Sequence, residues 1–172
     1  MQISVTSSEQ IQIHRFNWLA TIGVPLLALF FQAYVPIYLH FFTILDLPLL
    51  VVIFFAVARR SPISGVLTGA VVGLVQDSLT HGYLGLYGIS KTVVGYLASS
   101  LGVRLDVENP GSRFLMTFVF YLLHQAVYQF IAHGMAAEAL QLRWGHWLLA
   151  GFLNALIAVP IFGFLDRSKG GI

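Results

Sequence analysis

The chain has 172 residues, of which 58% are hydrophobic and only 9% are charged. An ordinary soluble domain carries roughly 25% charged residues, so this chain cannot cover a water-facing surface and its solvent must be largely lipid. The net charge of +2 indicates no particular partner, and the absence of cysteine excludes a disulfide framework and a thiolate metal site. The composition therefore predicts an all-α integral membrane protein and excludes a soluble enzyme.

The first part of the chain predicts a tail and two membrane helices. Residues 1–17 are polar and are predicted to be a cytoplasmic tail rather than a signal peptide. A first helix is predicted from Trp18 to about Val35, followed by an interfacial turn over 36–46. A second helix is predicted over 47–58, or from Thr43. Counted from Thr43, its roughly 16 residues cover about 24 Å, less than a hydrocarbon core of ~30 Å, so it should be tilted or shielded by neighbours.

Four more helices complete the predicted transmembrane domain, which spans residues 18–165. Arg59 and Arg60 end the second helix, and Ser61 and Pro62 are typical N-cap and N1 residues that start the third. The third to sixth helices are predicted over 63–77, 85–101, 114–132 and 147–165. The loops between them are predicted over 78–84, 104–111 and 133–146, and residues 166–172 form a basic C-terminal tail. Six spans predict a compact bundle with both termini on one side.

The positions of lysine and arginine test this count, because cytoplasmic loops of membrane proteins are enriched in both. In a six-span arrangement one side carries seven of the nine basic residues: Arg15, Arg59, Arg60, Arg104, Arg113, Arg167 and Lys169. The other side carries Arg143, and Lys91 lies inside a span. The distribution predicts a multi-pass membrane protein with cytoplasmic N and C termini.

Two charged residues fall within the predicted spans, where ionisable groups are costly and usually functional. If spans three and four form a symmetric hairpin centred on Leu84, Asp77 and Lys91 face each other and form a buried ion pair. The same register predicts close helix packing through a stripe of small residues: Gly65, Gly69, Gly73, Gly95 and Ser99, with Gly88 close by. The pair is interpreted as structural, with a proton or ion relay and a ligand- or partner-facing role as alternatives.

The fifth span carries polar residues at helical spacing, which predicts an interior stripe. No metal site is expected, since His124 is the only credible ligand and three or four must converge. The sequence also contains no phosphate-binding loop, no catalytic elbow and no nucleic-acid face, so neither a catalytic residue nor a cofactor is predicted. The predicted stripe consists of Tyr121, His124, Gln125, Tyr128 and Gln129, with Asn154 of the sixth span as a possible partner.

Residues 69–97, GAVVGLVQDSLTHGYLGLYGISKTVVGYL, resemble the central signature of the rod-shape-determining protein MreD family. That signature is a glycine-rich helix ending in Gly-x-x-x-Asp, a short loop with Leu-Gly, and a helix ending in Gly-Tyr-Leu. The matching positions are Gly73, Asp77, Leu84, Gly85 and 95–97. The size, the short second helix with its proline and the basic C-terminus are also similar to the family, whereas Lys91 is not a feature expected in every member.

The resemblance implies a non-catalytic subunit of the bacterial cell-elongation machinery that binds the membrane protein MreC. The resemblance also implies that this subunit lies in the bacterial inner membrane, acts indirectly with MreB, RodA and a class-B penicillin-binding protein, and supports cell shape and peptidoglycan synthesis. The family's helical core is similar to the S-components of energy-coupling-factor vitamin transporters. A small-molecule-binding transporter subunit is therefore the alternative, and an ion-coupled carrier is a third class. The short predicted outer loops, poor in polar groups, favour the scaffold.

Overall fold

A computed structural model of the protein describes residues 18–80, 83–102, 109–136 and 143–167. Within these ranges the chain forms helices and no strand. Four helical segments are long and apolar enough to cross a membrane: Leu19–Tyr38, Pro62–Thr80, Pro110–Met135 and Trp144–Asp166. The six α-helices are α1 (Trp18–Tyr38), α2 (Leu47–Arg59), α3 (Pro62–Thr80), α4 (Leu86–Leu101), α5 (Pro110–Ala136) and α6 (Trp144–Asp166), and a 3-10 turn, His40–Ile44, precedes α2.

Hydrogen bonds between helix ends show that successive helices run antiparallel. Arg59 at the end of α2 donates to the hydroxyl of Thr21 at the start of α1, over 2.8 Å. At the opposite end, the side chain of Gln32 accepts from the backbone N–H of Leu47 and donates to the carbonyl of Leu45. The bundle therefore has two distinct ends. We call them the basic end, with Arg59, Arg60, Arg113 and Arg167, and the loop end, with the His40–Ile44 turn, the residues before α4 and Arg143.

Helix α2 occupies the centre of the bundle. Every residue from Pro48 to Val57 is buried, and α2 contacts α1, α3, α4, α5 and α6. A helix that is apolar on all sides is expected to be enclosed by protein or lipid, and here the protein encloses it. Of the two arrangements that its shortness allowed, shielding by neighbours is the one the structure adopts.

Helices α3 and α4 form the most closely packed pair in the bundle. A side chain at Gly65 would overlap the carbonyl of Gly95, and one at Gly69 would overlap the carbonyl of Lys91. A side chain at Gly73 would meet the backbone at Tyr87 and Gly88 in the same way. The absence of side chains therefore brings the two backbones into direct contact, as small residues do in membrane helix pairs.

The register of this hairpin differs from the prediction by about two turns of α4. The symmetric hairpin placed Gly73 opposite Gly95 and Gly69 opposite Ser99. Instead Gly69 lies against Lys91, while Gly65 lies against both Gly95 and Ser99. The contacting pairs are centred on residue 80 rather than on residue 84, so the end of α3 extends past the first turn of α4.

Several predicted boundaries also shift. Helix α1 continues through Pro36 to Tyr38, so only the remainder of the predicted interfacial turn is non-α-helical, and much of that forms the 3-10 turn. Helix α5 is longer than predicted at both ends, beginning at Pro110 and reaching Ala136. The predicted tail at 1–17, residues 168–172 of the tail predicted over 166–172, and parts of the three predicted loops lie outside the described residues.

Candidate functional site

Lys91 forms a buried ion pair with Asp46, and not with Asp77 as the sequence predicted. Its Nζ lies 2.6 Å from Asp46 Oδ2, and the lysine side chain is completely buried. Asp46 is fixed at this position because it caps α2: its Oδ1 accepts the backbone N–H of Leu49 over 3.0 Å. Aspartate is among the preferred N-cap residues, so one carboxylate both starts the central helix and neutralises the buried cation.

Asp77 instead holds the start of α4. Its two carboxylate oxygens accept the backbone N–H groups of Gly85, Tyr87 and Gly88, each over 3.0 Å. The first N–H groups of a helix lack partners within it, and a negative charge there is favourable. Gly85, with φ of 104°, allows the chain to turn sharply into the helix. This contact accounts for the unexpected register, because Asp77 lies beside the first turn of α4 rather than beside Lys91.

Asn154 links α6 to the chain segment that carries Asp46. Its Oδ1 accepts the backbone N–H of Asp46 over 2.9 Å, and its Nδ2 donates to the carbonyl of Ile44 over 2.9 Å and to that of Ala150 over 2.8 Å. The N–H of Asp46 and the carbonyl of Ile44 lie where the chain leaves the 3-10 turn and enters α2, and no hydrogen bond within a helix satisfies them. Asn154, which is fully buried, therefore fixes the entry to α2 and with it the position of the Asp46 carboxylate.

His124 and two tyrosines surround the ion pair. The Nε2 of His124 lies 3.4 Å from Lys91 Nζ and 3.9 Å from Asp46 Oδ2. Since an ammonium group can only donate, Nε2 is the acceptor in this contact. Lys91 Nζ also lies 5.0 Å from the ring centroid of Tyr87, within cation–π range. The Tyr87 ring packs against Tyr128 with centroids 4.9 Å apart. The cation thus meets a carboxylate, an imidazole and an aromatic face.

The predicted polar stripe on α5 is only partly directed at this cluster. Tyr121 and His124 are buried, while Gln125, Tyr128 and Gln129 are half-buried. His124 reaches the ion pair directly, and Tyr128 reaches it through Tyr87. In the structure, Asp46 forms one cluster with Lys91, Asn154 and part of the predicted stripe. The sequence had predicted that Asp46 lies in an interfacial turn.

Asp46 is the residue that sequence reasoning missed. The signal was present, because an aspartate followed by Leu47 and Pro48 at the start of an apolar run is typical of a helix N-terminus. An N-cap lies at the level of the first helical turn, so it can reach a charge inside the bundle. No group of three or more histidine, aspartate and glutamate side chains is placed to hold a metal ion within the described ranges.

A polar cavity of about 120 Å³ adjoins the ion pair at the loop end. Exposed Thr43 and His146 lie at its surface, and buried Asp46 and Gln76 lie deepest. The short outer loops were expected to supply few polar groups, but part of this lining comes from them. The other polar residues that line the cavity come from helices: Gln32, Tyr87, Tyr121 and Gln125.

Comparison with known proteins identifies the family. No curated protein and no solved structure matches the chain. The family model described as rod shape-determining protein MreD matches residues 12–167, which is nearly the whole chain. A match of this extent includes all six helices and every residue of the polar cluster, and the all-helical, apolar architecture agrees with a membrane protein. The chain belongs to the MreD family of rod shape-determining proteins.

Proposed function

We propose that the chain is a non-catalytic scaffold subunit of the cell-elongation complex in the bacterial inner membrane, and that it binds MreC. The observation that carries the proposal is the pairing of the interior polar groups within the chain itself. Lys91 is paired with Asp46, Asp77 with the backbone of α4, and Asn154 with the segment before α2. These groups hold the helices in one arrangement, which is what a scaffold requires.

All six helices cross the membrane in this proposal. Helices α2 and α4 have 13 and 16 residues, or about 20 and 24 Å. They are shorter than a hydrocarbon core of ~30 Å, but α2 is enclosed by its neighbours and α4 packs against α2, α3 and α5. The basic end, with four described arginines against Arg143 at the loop end, faces the cytoplasm. Reporter fusions after residue 167 test this orientation, and an external signal would contradict it.

The proposed partner is MreC, through which the chain acts with MreB, RodA and a class-B penicillin-binding protein. Large apolar side chains along α1, α3, α5 and α6 are exposed on the outside of the bundle, where they face lipid or a partner's membrane helix. The test is affinity purification of the tagged chain from native membranes, with the untagged chain as control. Recovery of MreC in a fixed ratio is expected. Absence of MreC together with recovery of a stoichiometric small molecule would overturn the scaffold proposal.

The alternative function is the binding of a small molecule, for which the polar cavity would be the site. Ligand sites in proteins usually enclose about 300–1,000 Å³, whereas this cavity encloses about 120 Å³. A vitamin-sized ligand does not fit that volume without movement of the helices around it. The size of the cavity therefore supports the scaffold over a vitamin-binding subunit.

A further inference from the structure

We infer that the polar cavity at the loop end is a water site, which hydrates the Asp46–Lys91 ion pair from one end of the bundle only. The inference extends the proposed function and uses its assignment of the loop end to the outside of the cell. Four observations support it: the course of the cavity, an unpaired buried amide oxygen, the position of Asp46, and the apolar packing on the far side of the pair.

The cavity runs from the surface to the interior. Thr43 and His146 are exposed, Gln125 and Tyr87 are half-buried, and Gln76 at the inner part is only 4% exposed. Its lining is dominated by amide, phenol, hydroxyl, imidazole and carboxylate groups, all of which form hydrogen bonds with water. About 10–15 Å³ of such volume is enough for one water molecule, so a cavity of about 120 Å³ has room for several.

Gln76 indicates that the cavity is occupied by a hydrogen-bond donor. Its Oε1 is buried and has no hydrogen-bond partner among the described residues. A buried acceptor without a partner is costly, and native structures usually satisfy such groups with protein or ordered water. Because Gln76 lines the cavity, a water molecule there can donate to Oε1.

Asp46 connects the cavity to the ion pair. It lines the cavity and also accepts from Lys91 Nζ and from the N–H of Leu49. Two carboxylate oxygens can accept about four hydrogen bonds, which leaves capacity for water on the cavity side. Burying a pair of charges is costly mainly because water is removed from them, so hydration of Asp46 reduces that cost without breaking the pair.

On the far side of the ion pair, the next turns of α2 and α4 carry closely packed apolar side chains, although Thr117 on α5 is also buried there. Val52 and Val94, one turn nearer the basic end than Leu49 and Lys91 respectively, are completely buried. Beyond them Gly65 and Gly95 bring α3 and α4 into backbone contact, and Val52 packs beside Gly95. Because this packing lies between the ion pair and the basic end, water that reaches Asp46 is expected to stop there.

Single cysteines provide the test, since the natural chain contains none. The variants T43C, Q76C and S99C are purified in lipid nanodiscs and exposed to silver ions, which are small, polar and reactive with thiols, in a chloride-free buffer. After denaturation, a fluorescent maleimide labels every thiol that silver has not blocked. S99C is the matched control because Ser99 is as buried as Gln76 but lies in the α3–α4 interface outside the cavity.

Loss of maleimide labelling is expected for T43C and Q76C, and retained labelling for S99C. Retained labelling of Q76C beside loss in T43C would overturn the inference, because the inner cavity would then be dry. Loss in all three variants would also overturn it, since water would then reach the whole bundle. If Q76C elutes as misfolded protein, Q125C replaces it under the same criteria. The assay needs no MreC, so failure of the scaffold proposal leaves its result interpretable.

Discussion

The ion pair between Asp46 and Lys91 allows the arrangement of the bundle to be tested by a double-mutant cycle. The D46N change keeps a good N-cap residue on α2 but strands the Lys91 ammonium, whose Nζ lies 2.6 Å from Asp46 Oδ2. The K91M change keeps a long side chain but strands the carboxylate. Breaking a buried pair from one side costs roughly 3–5 kcal/mol in soluble proteins, and replacing both charges is often nearly neutral. Each single variant should therefore be strongly destabilised, and D46N/K91M should recover most of the loss.

The assay is equilibrium unfolding of purified protein in mixed micelles, followed by tryptophan fluorescence, for the wild type and all three variants. A second cycle, D77N with K91M, is the matched control, because Asp77 contacts the start of α4 and Lys91 contacts Asp46. Asp77 and Lys91 share Tyr87 as a neighbour, so their coupling should be smaller than that between D46N and K91M rather than zero. A double variant D46N/K91M no more stable than the worse single would refute the reasoning, and strong coupling between D77N and K91M would restore the pairing predicted from sequence.

Three further substitutions test the packing and the turns, the first by the yield of folded protein and the other two by the same unfolding assay. G69A should abolish or severely reduce folded protein, because its Cβ would overlap the Lys91 carbonyl. The control G134A, with open space around its Cβ, should accumulate normally, and equal yields of the two variants would reject the close α3–α4 contact. N154L should cost about 2–5 kcal/mol, since the N–H of Asp46 and a nearby carbonyl lose their partner; a wild-type midpoint would show that Asn154 does not hold the entry to α2. G85A meets no atom but places an alanine at φ of 104°, which should cost only about 1–2 kcal/mol, and a collapse as severe as that of G69A would contradict a purely backbone effect.

The sequence predicted the helices better than it predicted their partners. Apolar length and the Ser61–Pro62 start signal located α3, and Arg59 and Arg60 located the end of α2. The prediction of the hairpin register was wrong because spacing along a helix determines which residues share a face, but not how far one helix is displaced along the next. That displacement depends on the side chain of Asp77 reaching the first turn of α4, a contact between residues that helical periodicity does not relate.

The candidate site was predictable in part. Lys91 and His124 stood out as ionisable groups within spans, and the structure places them 3.4 Å apart. Asp46 was missed because Pro36, His40 and Asp46 itself interrupt an apolar segment, which favoured an interfacial turn. The polar cavity was also missed, since it is formed by residues from helices and loops far apart in the sequence. Such a cavity exists only after the helices assemble, so no local pattern encodes it.

The contact between Asp46 and Asn154 joins residues 108 positions apart, so it can form only after α6 has been synthesised. During synthesis α2 emerges long before α6, so for most of that time the segment before it has unpaired backbone groups. Lys91 can neutralise Asp46 once α4 has entered, but the amide of Asn154 arrives only with the last helix. A chain that stops before α6 therefore leaves its central helix without its final anchor, and the N–H of Asp46 and the carbonyl of Ile44 without the partner they have in the finished protein.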